Sequence, residues 1–138
     1  FQRDGLEMAK ALGCTRIKVA SRALGSFPYD EWAGKFLVSL GMRGDGALGK
    51  QIDSRYTYLS CISEYPCPLS KARWPNRFGE AGFSDHSGSP WPAIDAMARG
   101  CKLIELHVDG MPGSLSFKEF KIVAAAAGAF ADMRGGDG

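Results

Sequence analysis

"EAGFSDHSG" at residues 80–88 and "KLIELHVDG" at 102–110 are apolar runs that each close on one of the chain's two histidines. Both runs have strand length, and the first ends in a glycine-serine turn signal. Side chains alternate along a strand, so Ser84 and His86 share one face, as do Glu105 and His107. Two imidazoles and a carboxylate therefore leave neighbouring segments at corresponding ends. The fold decides whether they meet.

Three earlier segments have the same character: "RIKVAS" (16–21), "KFLVSLGM" (35–42) and "YTYLSCIS" (56–63). The five runs are marked near their ends by Ser21, Ser39, Ser63, Ser84 and His107, in steps of 18, 24, 21 and 23 positions. Such a recurrence predicts repeated βα units and a parallel sheet. The steps are short for a barrel repeat, so some intervening helices must be stunted. "DGLEMAKALG" (4–13) reads as a helix closed by Gly13, whereas "SFPYDEWAG" (26–34) has room for barely two turns. "RGDGALGKQIDSR" (43–55) holds three glycines and is a weak helix. "SPWPAIDAMARG" (89–100) has early prolines and a terminal glycine, and Ser116 with Glu119 forms a capping box ahead of the last helix.

Composition narrows the classes of function. The 138 residues fit one domain and fall short of an eight-fold barrel. A net charge of +2, with no lysine or arginine block, argues against nucleic acid as a partner. The longest apolar run, "IVAAAAGAFA" (122–131), is too short to span a bilayer, so no membrane association is expected. The opening "FQRDG" has neither a signal peptide nor a methionine and reads as a fragment or trimmed product. Cys14, Cys61, Cys67 and Cys101 form no CxxC pair. They read as reduced thiols, mostly in the core, of a cytoplasmic protein, with a secreted disulfide framework as the other reading.

Parallel α/β folds gather their chemistry at the carboxyl ends of the strands. Those ends carry Ser21, Ser39, Ser63, Ser84, His86 and His107, with Lys18 inside the first strand. Neutral imidazoles bind manganese, zinc or iron, and Glu105 could orient a ligand or join it. Each residue also has a plainer role. A lone histidine is more often structural than a ligand, serines after strands cap helices, and an edge lysine can snorkel. Asp85 reads as a turn residue.

"RIKVASRALGSFP", "FLVSLGM", "CISEYPCP", "GFSDHSGSPWPAIDAMARGCKLIELHV" and "MPGSLSFKEF" follow one another here in an order that resembles the sialic acid synthase family. "SDH" followed 21 positions later by the histidine of "E-x-H" is the most specific match. The resemblance implies a partial TIM-type (β/α) barrel, about five parallel strands with intervening helices, in a single unit over 1–138. It implies condensation of phosphoenolpyruvate with an N-acetylmannosamine-type aldose, assisted by a divalent metal, manganese or magnesium, acting as a Lewis acid. His86 and His107 would be metal ligands, with Glu105 behind them. Lys18, Ser21, Ser39, Ser63 and Ser84 would hold the phosphate and carboxylate, and Tyr65 would lie near the sugar. The catalytic groups stay unassigned.

The chain also departs from the family. Ala23, preceded by Arg22, stands where an acidic residue is usual, and the stretch after "MPG" lacks the family's acidic sugar contact. The first three strands and a C-terminal antifreeze-like domain are missing from the match. Two open sheet edges would then call for a second copy or a partner chain. Two other functions stay open: another metal-dependent barrel aldolase or lyase, and a non-catalytic remnant that binds a phosphorylated ligand or serves in assembly.

Overall fold

In "RIKV", Ile17 and Val19 point to one side and Lys18 to the other, and the same alternation governs the architecture of the whole sheet. The computed structural model describes residues 2–41, 54–73 and 81–135. Its strands are β1 (Arg16–Val19), β2 (Lys35–Ser39), β3 (Tyr56–Ser60), β4 (Gly82–Asp85) and β5 (Ile104–Leu106). All pair in parallel and in sequence order, β1-β2-β3-β4-β5, forming a curled half-barrel. The helices are α1 (Gln2–Ala11), α2 (Pro90–Ala98) and α3 (Phe117–Met133).

One face of the sheet is apolar and covered. Val19, Phe36, Val38 and Leu40 pack with Leu6 of α1 and with Trp32. Phe27 and Tyr29 meet the Phe36 ring edge-on, and Tyr56 stacks on it at 4.9 Å. Phe83 packs on Ala96 and Cys101, and Ile104 and Leu106 pack against Ala93, Met97, Leu115 and Val123. Each large side chain fully buried here contributes about 1.5–3 kcal/mol. The register places the alternate residues together on the concave face: Lys18 beside Leu37, Ser39 beside Leu59, Leu59 beside Gly82 and Ser84 beside Glu105.

The glycine predicted to close α2 and the capping box predicted for α3 both form. Ser89, not singled out by the sequence, caps α2, and that helix closes on Gly100, whose φ of +95° lets its N–H reach the Met97 carbonyl while Cys101 N–H reaches Ala96. Ser116 and Glu119 form the reciprocal capping box of α3. Two expectations change. The segment 26–34 makes a single 3₁₀ turn, Tyr29–Glu31, whose Tyr29 packs with Phe27 against the Phe36 cluster. β3 ends at Ser60, so Ser63 lies in the loop beyond the strand. The weak helix expected at 43–55 falls mostly outside the described residues.

Candidate anion and cation site

At the carboxyl ends of the strands, on the concave face, the predicted residues gather in two groups. The first group begins with Lys18, whose Nζ donates to Glu105 Oε1 at 2.5 Å. Lys18 is on β1 and Glu105 on β5, so the ion pair crosses the open side of the half-barrel. Ser21 opens a 3₁₀ turn just past β1, and its Oγ lies 3.4 Å from Ser63 Oγ. Ser39 Oγ lies 2.9 Å from Cys61 Sγ. A Cβ at Gly41 would sit 2.3 Å from Ser63 Oγ, which shows how closely the end of β2 abuts that loop. Hydroxyls and an ammonium thus share one rim, a donor set suited to an oxyanion.

The second group is built around His86, which is buried at the end of β4. Its Nδ1 donates to the Ile62 carbonyl at 2.7 Å, so the neutral ring carries its lone pair on Nε2. Burial pushes the imidazole toward this neutral form, more than the Ile62 carbonyl and Glu105 favour the charged one. Tyr65 OH donates to Nε2 at 2.9 Å, and Ser84 Oγ lies 3.1 Å from the same atom. The Tyr65 ring stacks on His86 at 4.0 Å and meets His107 edge-on at 5.6 Å. Burial, then Cys61 and Glu105, push the Tyr65 phenol up, so it remains a donor.

The His86 and His107 ring centres are 5.4 Å apart. His107 Nε2 and Glu105 Oε2 are both buried without a hydrogen-bond partner. Burial alone would raise the Glu105 carboxyl, but the Lys18 hydrogen bond and charge outweigh it, helped by Ser84 and His107, and hold it below the usual range. Among the described residues no cluster of three or more His, Cys, Asp or Glu could hold a metal. The two imidazoles still fit a divalent cation. One offers a lone pair fixed by its tautomer, the other has an unpartnered ring nitrogen, and water or substrate oxygen would fill the remaining positions.

Three contributors were not predicted to act here. Cys61 was taken as core, yet it continues the concave-face alternation of Thr57 and Leu59, a signal available from its spacing. The Ile62 carbonyl that sets the His86 tautomer has no signal in sequence. Gly113, at φ +85°, brings its backbone against His86; a Cβ there would lie 2.4 Å from the His86 carbonyl oxygen. Asp85 behaves as a turn residue, accepting from Ser87 N–H and Ser87 Oγ at 3.0 Å each.

A parallel half-barrel with lysine, hydroxyls and paired imidazoles at its strand ends defines a partial β/α-barrel chain. The NeuB family profile matches residues 1–112, and the chain belongs to that family as a partial domain. Among solved structures, a spore coat polysaccharide biosynthesis protein E from Chromobacterium violaceum superposes with a TM-score of 0.74 at 20% identity. The match covers 98% of this chain and 48% of that one, so the chain spans about half the length of its structural neighbour. No curated sequence matches the chain.

Proposed function

We propose that this chain carries the anion-binding and cation-binding part of a sugar acid synthase site that joins phosphoenolpyruvate to an N-acetylmannosamine-type aldose. The observation that carries the reading is the convergence of Lys18, the serine hydroxyls and the two imidazoles on one concave rim, in a chain of the NeuB family. Lys18 would take the carboxylate or phosphate of phosphoenolpyruvate, with Ser21, Ser39, Ser63 and Ser84 offering fixed hydroxyls around it. His86 and His107 would hold a divalent cation, manganese or magnesium; when bound, it supplies Lewis-acid polarisation of the aldehyde oxygen. Tyr65, half exposed above both imidazoles, would border the sugar.

β1 and β5 form the two margins of the described sheet, and a further copy or a partner chain would cover them. The four free thiols suit a cytoplasmic setting. No helix among the described residues is long and apolar enough to cross a membrane.

Calorimetry with phosphoenolpyruvate tests the reading. Lys18→Ala should weaken binding by about 1.5–3 kcal/mol, the scale of a charge-assisted hydrogen bond. Equal affinity in wild type and variant would remove Lys18 from the pocket, and no binding to either would sink the proposal.

A further inference from the structure

Glu105 faces both groups at once. One oxygen, Oε1, is held by the Lys18 ammonium, and the other, Oε2, is buried without a hydrogen-bond partner of good geometry, though the Ser84 hydroxyl is near enough to favour the ionised carboxyl. Two residues further along β5, His107 Nε2 is buried in the same unpartnered condition. The His107 ring is near enough to Glu105 to help hold its carboxyl ionised. Glu105 thus stands as a resident anion on Lys18, with its second oxygen on the side of the imidazoles.

An incoming phosphate or carboxylate would bind the Lys18 ammonium beside Glu105 Oε1, on a donor that Glu105 leaves open. Two anions on one ammonium repel each other, which loosens the hold of Lys18 on Glu105. A released carboxylate that is about three-quarters buried cannot remain unpaired, because an isolated buried charge is strongly unfavourable. The counter-charge within reach is a divalent cation on His86 and His107.

We infer that Glu105 couples the two halves of the site: anion binding at Lys18 frees Glu105 to neutralise a divalent cation at His86 and His107, so each ligand tightens the other. This rests on the function proposed above. Glu105 is a positioning residue here, acting through Lys18 and the imidazoles. Linkage requires the effect to be reciprocal, with the anion raising cation affinity by the same factor as the cation raises anion affinity.

The test measures Mn²⁺ affinity by the electron paramagnetic resonance signal of free Mn²⁺, with and without saturating phosphoenolpyruvate. In wild type, phosphoenolpyruvate should tighten Mn²⁺ binding about ten-fold, within the usual span of coupled sites. Glu105→Gln keeps the shape and removes the charge, and its coupling should fall below about three-fold; direct attraction between the two ligands leaves the remainder. A second variant, Glu105→Asp, keeps the charge but shortens the reach, and should also couple less than wild type. Both ligands binding to wild type with independent affinities would overturn the coupling and leave the proposed function standing. Undiminished coupling in the folded variants would equally overturn it. Failure of wild type to bind either ligand would instead remove the proposed function.

Discussion

Replacing Gly113 by alanine should destabilise the protein far more than the same change at Gly100. The two glycines have similar backbone angles, +85° and +95°, in the region that an L side chain adopts only with strain. That strain is about 1–2 kcal/mol at either position. At Gly100 a new methyl group meets nothing within 4 Å. At Gly113 it meets the His86 carbonyl oxygen at 2.4 Å, the His86 carbonyl carbon at 3.2 Å and Pro66 Cα at 3.4 Å. These are backbone atoms and cannot rotate aside, and the same carbonyl already accepts from Cys67 N–H at 2.8 Å. Overpacking of this kind adds about 1–3 kcal/mol, so Gly113→Ala should lose about 2–5 kcal/mol in all. Urea unfolding of wild type and both variants, followed by far-ultraviolet circular dichroism at constant slope, measures the difference. Equal losses at the two positions would show that the loop does not press on His86.

Tyr65→Phe removes a hydroxyl that holds the lone pair of His86, and about 1 kcal/mol of hydrogen bond then no longer opposes a cation. Mn²⁺ affinity should rise roughly five-fold; weaker binding would instead make the hydroxyl a ligand. Ser116→Ala should lower stability by about 0.5–2 kcal/mol through the lost α3 cap, measured by the same urea melts. The hydrogen bonds from Ser116 hold the Glu119 carboxyl below its ordinary range. Its stabilisation is therefore present above the unfolded-state value and lost as pH falls through the lower folded-state one. Glu119→Gln should flatten the fall in stability over that acidic window, and an unchanged pH profile would show that the cap does not depend on the charge.

The order and direction of the strands were readable because period-two alternation and the marker spacing are local properties of the chain. Ile17 and Val19 of "RIKV", Phe36 and Val38 of "KFLVS" and Phe83 of "GFSD" point to the covered face as their alternation requires. The end of α2 at Gly100 and the capping box at Ser116 were readable for the same reason. The 3₁₀ turn at Tyr29–Glu31 was not, because two aromatic side chains find better contacts on Phe36, across the sequence, than along a helix. At the site, alternation put Ser84 with His86 and Glu105 with His107. It could not reveal that Lys18 lies against Glu105, a meeting of residues 87 positions apart that depends on how far the sheet curls. Nor could it show that Tyr65 turns back over both imidazoles.

The strand order has a consequence for how the chain folds. Every strand pairs with its neighbour in sequence, so the sheet can grow one unit at a time from contacts between successive segments. The Lys18–Glu105 bond is different, because it closes a loop of nearly the whole sheet and gains nothing until all five strands are in place. It therefore belongs to the last step of assembly, and its removal acts chiefly on the rate of unfolding while the rate of folding stays nearly the same. The contact that shapes the mouth of the site is also a kinetic latch on the half-barrel.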